Sequence, residues 1–80
     1  MMTEMFSEET IFLINRMKAG RLLSDADQCR VREELLSKLK EIDETLWERS
    51  HAENVRLQAI TGEVVLLLEK NHFELLEAQK

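Results

Sequence analysis

The side chains that could bind a metal are Cys29, His51 and His72, set among many carboxylates. Two ligands share a helix face when they are three or four residues apart, and neither histidine has a second His or Cys at that spacing. His51-Ala52-Glu53 has the H-x-E form of zinc deaminases, but the chain contains no proline and therefore lacks the P-C-x-x-C part of that signature. We expect no metal and no cofactor, and we assign both histidines to the polar surface.

Cys29 is the one candidate nucleophile. It lies near the start of a predicted helix with Arg30 and Arg32 close by, an environment that favours a reactive thiol. No Gly-rich loop for phosphate and no oxyanion site accompanies it. We therefore predict that the protein is not an enzyme and that Cys29 fills a buried packing position.

The composition is typical of a small folded helical protein. Of 80 residues, 44% are hydrophobic and 34% are charged, and one cysteine allows no internal disulfide. A chain of this size needs either one thin core or a second copy for stability. A lone thiol suits a reducing compartment, the first residues lack the pattern of a signal peptide, and the longest apolar run, Val64 to Leu68, is too short to cross a bilayer. We expect a cytoplasmic protein with no membrane association.

The first predicted helix covers about residues 8–19. Ser7 is a suitable N-cap, and acidic residues follow it in the first turn, where the helix dipole favours negative charge. Gly20 follows a basic last turn and tolerates the left-handed conformation that commonly ends a helix. The sequence thus predicts a short N-terminal helix with both ends marked.

A second helix is predicted over about 25–48. It begins at Ser24, with Asp27 in the position of a capping box. Apolar residues then recur at steps of four, three and four, the spacing of a narrow helical seam, and Leu36 and Trp47 widen it; the seam consists of Leu35, Leu39, Ile42 and Leu46. Trp47 is interpreted as a core residue at the end of this seam, with a contact anchor as the alternative.

The third predicted helix covers about 51–78. Ser50-His51-Ala52-Glu53 is a full capping box, and the apolar stripe resumes after it. These features predict a single all-α domain, residues 1–80, in which a short helix precedes a long antiparallel hairpin. The alternative is one continuous helix from residue 25 that dimerises as a coiled coil, because the turn lacks Gly and Pro.

Charge is distributed unevenly along the chain, which carries a net charge of −5. The middle of the chain is mildly basic and the C-terminal half is acidic, a division that favours antiparallel packing of one against the other, within one chain or between two. Exposed ion pairs contribute only about 0–1 kcal/mol each, so they select orientation more than they stabilise. We expect a homodimer.

The apolar run Val64–Leu68 covers the whole circumference of a helix, so part of it faces away from the hairpin partner. The predicted contact surface for another protein is Val65, Leu66, Phe73 and Leu76. Short acidic helical chains of this kind resemble small bacterial or phage regulators that bind one target. This resemblance implies a non-enzymatic regulatory protein that acts by covering a site on a protein partner.

Two other functions remain open at this point. A DNA-binding regulator would use the basic residues around the first turn, although the net charge and the interrupting acids disfavour it; these residues are Arg16, Lys18, Arg21, Arg30 and Arg32. A structural coiled-coil assembly segment would require the continuous helix.

Overall fold

The computed structural model describes residues 5–80 and contains three α-helices: α1 (Glu8–Lys18), α2 (Asp25–Glu44) and α3 (His51–Ala78). A short 3₁₀ turn, Leu46–Glu48, lies between α2 and α3, and the described part of the chain contains no strand. The prediction of an all-helical protein with three helices is therefore confirmed. Residues 1–4, which the predicted domain includes, lie outside the described residues.

Each helix begins at a serine whose hydroxyl caps the first turn. The Ser7 Oγ accepts from the Thr10 N–H at 3.3 Å, and the Ser24 Oγ accepts from the Asp27 N–H at 3.2 Å. The Ser50 Oγ accepts from the Glu53 N–H at 3.2 Å. These bonds satisfy amide groups that have no partner inside the helix, and they set the starting residue of each helix.

Helix α1 ends at Lys18, two residues before the predicted glycine. Gly20 has a φ of +81°, and its N–H donates to the Met17 carbonyl at 3.0 Å. The Arg21 N–H donates to the Arg16 carbonyl at 2.9 Å, which completes a Schellman motif. A side chain at position 20 would strain this left-handed backbone, so glycine is needed here.

Helix α2 ends at Glu44, four residues before its predicted end at 48. The Thr45 hydroxyl donates to the Glu41 carbonyl at 2.7 Å, and the chain then tightens into the 3₁₀ turn. The structure thus shows two helices where the alternative prediction had one continuous helix.

The turn between α2 and α3 contains no Gly or Pro, and hydrogen bonds of the Arg49 and Asn54 side chains stabilise it. The Arg49 Nη2 donates to the Ile42 carbonyl at 2.9 Å, and its Nε donates to the Asn54 Oδ1 at 3.1 Å. The Asn54 Nδ2 donates to the Leu46 carbonyl at 3.1 Å. One carbonyl near the end of α2 and one in the 3₁₀ turn are therefore satisfied by side chains from beyond the turn.

One continuous core joins the three helices and the segments around them. Among the described residues its buried apolar members are Met5, Phe6, Leu13, Ile14, Met17, Leu23, Val31, Leu35, Ile42, Val64 and Leu68. The predicted seam of α2 is correct at Leu35 and Ile42, but Leu46 is exposed because it lies beyond the helix end. The buried line of α2 instead begins earlier, at Gln28 and Val31.

Helix α3 buries a line of residues that is only partly apolar. Val64 and Leu68 are buried, but Asn54, Thr61 and Asn71 share their face at heptad spacing. The apolar stripe predicted for α3 is therefore split between two faces. Near Asn54 and Asn71, the apolar side chains of Val55, Phe73 and Leu76 are exposed.

Asn71 binds the connector between α1 and α2 to α3. Its Oδ1 accepts from the Leu23 N–H at 2.8 Å, and its Nδ2 donates to the Arg21 carbonyl at 2.9 Å. The Gln28 Nε2 donates to the Asn71 Oδ1 at 3.1 Å and to the Leu23 carbonyl at 3.1 Å. Gln28 and Asn71 are both buried, so these bonds replace water for groups that would otherwise be unsatisfied.

Glu34 of α2 binds the start of α1. Its carboxylate accepts from the Ser7 N–H at 2.6 Å, from the Ser7 hydroxyl at 3.0 Å and from the Thr10 hydroxyl. Burial raises the pKa of the Glu34 carboxyl, but the hydrogen bonds from Thr10 and Ser7 and the charge of Lys38 lower it more, so the pKa lies below its usual value. The ionised carboxylate therefore favours the docked position of α1.

We predict that Asn71→Ala lowers the free energy of unfolding by about 2–4 kcal/mol, because it leaves the Leu23 N–H buried and unpaired. Urea unfolding followed by circular dichroism measures the change. Asn15→Ala is the matched control, because Asn15 is exposed on α1, and should change stability by less than about 0.5 kcal/mol. Equal effects of the two substitutions would contradict the role of Asn71.

We predict that Glu34→Gln costs about 1 kcal/mol at neutral pH, a cost typical of a lost helix cap. Because folding lowers the pKa of Glu34, its contribution is fully present above the unfolded-state pKa of about 4.3 and is lost as the pH falls through the folded value. The stability difference between wild type and variant should therefore disappear in acid. Glu33→Gln, at the exposed neighbouring position, is the control and should change the free energy of unfolding at neutral pH by less than about 0.5 kcal/mol.

Candidate protein-interaction surface

A groove runs between α2 and α3 and has a volume of about 320 Å³. Apolar side chains of both helices form most of its lining, and charged or polar groups stand at its rim. The lining residues are Arg32, Leu35, Leu36, Leu39, Val65, Leu68, Glu69 and His72. A groove with this lining suits an apolar side chain of a partner better than a small polar substrate.

The outward side of α3 exposes large apolar residues next to this groove. Leu66 is 67% exposed, Phe73 is 63% exposed and Leu76 is 47% exposed. Leu66 and Phe73 are two helical turns apart and therefore lie on the same side. Val65 is half-buried against the core and lines the groove. Three of the four predicted contact residues are thus open to solvent, and the fourth borders them.

These residues belong to a longer line, which we name the α3 face. It follows the alternating three- and four-residue steps of a heptad seam on the side opposite the core. Its members, all exposed, are Ala52, Val55, Ala59, Gly62, Leu66, Glu69, Phe73 and Leu76. α3 therefore carries one seam inward and a second one outward.

The sequence analysis missed the part of this surface that comes from α2. Leu36 was assigned to the seam, but it is 59% exposed and lines the groove. It follows the buried Leu35 directly, and consecutive helical residues point about 100° apart. Leu35 and Ile42 are seven residues apart and define the buried line of α2. Leu36 does not fall on that line, and this could have been recognised from the sequence.

Trp47 is 90% exposed, so its interpretation as a core residue is wrong. The reason is that α2 ends at Glu44 and Trp47 lies on the 3₁₀ turn, where the helical seam no longer determines its direction. The alternative interpretation, a contact anchor, remains a prediction.

Two of the five basic residues proposed for DNA binding pair with carboxylates, and a third lines the groove. The Lys18 Nζ is 3.3 Å from the Glu63 Oε1 of α3, and Arg30 forms an ion pair with Glu9 of α1. Arg32 points to the groove on the other side of α2. Carboxylates next to these cations weaken their attraction for phosphate.

The residues considered for metal binding and nucleophilic chemistry are separated in the structure. Across residues 5–80, no three of the His, Cys, Asp and Glu side chains lie close enough together to hold a metal ion. Cys29 is partly exposed, and its Sγ is 3.6 Å from the Glu33 Oε1, so its prediction as a buried packing residue is wrong. His72 stands at the rim of the groove and His51 is the first residue of α3.

The sequence matches no protein-family model, and neither a curated protein nor a solved structure matches it. None of the helices within residues 5–80 is long and apolar enough to cross a membrane. The geometry of the groove and the α3 face is therefore the basis for assigning a function.

We predict that Trp47→Ala changes the free energy of unfolding by less than about 0.5 kcal/mol, as expected for an exposed side chain. Loss of a buried tryptophan would cost about 3–5 kcal/mol. Urea unfolding of both proteins distinguishes the two values. A large loss of stability would show that Trp47 packs in the core after all.

Proposed function

We propose that the protein is a small non-enzymatic interaction protein that binds a protein partner through the α3 face and the adjoining groove. The observation that supports this most directly is the exposure of Leu66, Phe73 and Leu76 on one helix side. Scattered exposed apolar residues are common, but an aligned set beside an apolar groove is typical of interaction sites.

The platform that presents this surface is suited to binding. The bonds of Asn71 and Gln28 join the start of α2 to the C-terminal part of α3, and those of Arg49 and Asn54 join the end of α2 to the start of α3. These contacts support α2 and α3 as an antiparallel hairpin. A helix held at both ends loses little conformational freedom on binding, which favours affinity.

The proposal includes a regulatory role of the kind that the resemblance to small bacterial or phage regulators implies, a cytoplasmic location and a homodimer. Burying Leu66 and Phe73 would supply the apolar area that the thin core lacks. DNA binding through Arg30 is the weaker alternative, because Glu9 pairs with that residue.

We predict that Leu66→Asp abolishes partner binding while far-ultraviolet circular dichroism remains helical, because Leu66 is exposed. Binding is measured in the source cell by a benzophenone amino acid that replaces Phe73 and forms an adduct with whatever covers it. The Leu66→Asp substitution should remove the adduct. Leu68→Asp is the matched control, since Leu68 is 5% exposed and its substitution should unfold the protein.

A second control places the benzophenone at Ser37, which is exposed on α2 away from the groove, and should give no adduct. Absence of any adduct from position 73 would overturn the proposed function. Unfolding of Leu66→Asp would show instead that Leu66 supports the core.

A further inference from the structure

We propose that the α3 face binds the α3 face of a second copy of this chain, antiparallel and two-fold symmetric, with Leu66 of each copy opposite Gly62 of the other. The inference rests on the proposed function and names the partner. It concerns the residues of α3 that lie on the side opposite the core of the chain.

The heptad spacing of the α3 face is the first support. Ala52, Val55, Ala59 and Gly62 occupy its first half, and each step of three or four residues keeps them on one side of the helix. Two helices pack through such seams because each residue fits between residues of the facing helix. The spacing therefore indicates a helix as the occupant.

The sizes of the seam residues change from one end to the other. The first half carries small side chains, whereas the second half carries Leu66, Glu69, Phe73 and Leu76. In the antiparallel register centred between Gly62 and Leu66, every large residue lies opposite a small one of the partner. The pairs are Leu66 with Gly62, Glu69 with Ala59, Phe73 with Val55 and Leu76 with Ala52.

A parallel pairing of the same faces would pack poorly. It would place Phe73 against Phe73 and Leu66 against Leu66 in the second half of the face, and Ala59 against Ala59 and Gly62 against Gly62 in the first half. The first contacts would push the helices apart and the last would leave a void. The gradient in size thus favours the antiparallel arrangement.

Gly62 has no explanation within one copy. A Cβ added at this position would meet no atom within 4 Å, and the residue lies in the middle of a 28-residue helix. Glycine at such a position costs about 1 kcal/mol relative to alanine. Close approach of a second helix, with Leu66 of the partner above Gly62, accounts for its presence.

Charge also favours the antiparallel register. Parallel pairing would bring two Glu69 carboxylates face to face in the seam, where like charges repel. In the antiparallel register each Glu69 faces Ala59, and the two carboxylates are about 15 Å apart along the axis at 1.5 Å per residue. This separation exceeds the Debye length of about 8 Å at physiological salt.

The groove side of α3 is compatible with this arrangement. Val65 lies beside the seam and would approach Val65 of the other copy near the two-fold axis. Leu36 of α2 is exposed on the same side of the groove and would border the contact. The interface would therefore cover the apolar residues of both helices.

The test is sedimentation equilibrium of the full chain and of Gly62→Leu over a wide concentration range. A leucine at position 62 meets Leu66 of the partner in the antiparallel register, so we expect the dimer dissociation constant to rise about tenfold or more. Adding Leu66→Ala to Gly62→Leu places the large side chain at position 62 and the small one at position 66, so the facing pair again combines one large and one small residue. This double variant should restore dimerisation. Ser37→Leu, on the exposed side of α2, is the control and should leave the constant unchanged.

A cross-link tests the direction independently. In a Cys29→Ser background, chains carrying Val55→Cys and chains carrying Phe73→Cys should form a mixed disulfide when combined. Phe73→Cys alone should not cross-link, because the two copies of this residue are about 27 Å apart in the proposed register.

Tighter dimerisation of Gly62→Leu, or a disulfide in Phe73→Cys alone, would overturn the inference in favour of parallel pairing. A wild-type protein that stays monomeric at all concentrations would also overturn it. If the benzophenone at position 73 then captures a different protein, the proposed function stands without self-association. If it captures nothing, both proposals fail.

Discussion

The structure depends most on the buried hydrogen bonds that Asn71 makes with the connector between α1 and α2. The Leu23 N–H and the Arg21 carbonyl lie outside any helix. The Leu23 N–H is buried, and leaving it without a partner would cost about 1–3 kcal/mol. Asn71 satisfies both groups, and Gln28 adds a bond from α2. A shift of α3 along its axis would break these hydrogen bonds, so they set the position of α3 relative to the other helices. They also keep the side of α3 that carries Asn71 turned inward, and this rotation decides which residues of α3 face solvent.

The inward and outward sides of α3 differ little in apolar character. The inward line contains Asn54, Thr61 and Asn71 between apolar residues, so part of the core side serves hydrogen bonding. The outward line contains Leu66 and Phe73. A helix with apolar residues on both sides buries one of them within its own chain and leaves the other available to a partner. The surface that we assign to binding is thus a consequence of the polar residues that hold α3 in place.

Two charged side chains form hydrogen bonds that join separate elements of the fold. Glu34 binds the first turn of α1. Arg49 donates to the Ile42 carbonyl near the end of α2 and to the Asn54 side chain. Hydrogen bonds that involve a charged group are stronger than neutral ones, about 1.5–3 kcal/mol against about 1 kcal/mol. At the turn between α2 and α3, the bonds of Arg49 stand in place of the glycine or proline that often marks such junctions, so the end of α2 could not be located from turn residues alone. The thin core is therefore supplemented at both ends by bonds between elements.

The sequence by itself determined the helical class and where each of the three helices within residues 5–80 starts, but it left open whether α2 and α3 are one helix or two. These properties depend on contacts within one turn, such as Ser24 with Asp27, and local chemistry is visible in local sequence. Only the tertiary structure decided that Gln28 is buried, that Trp47 is exposed and that Leu36 lies on a groove. Burial depends on the rotation of each helix about its axis, and that rotation follows from contacts between residues far apart in sequence, above all those of Asn71. A periodic apolar pattern with two seams is compatible with either side facing inward, and the hydrogen bonds of the connector select one.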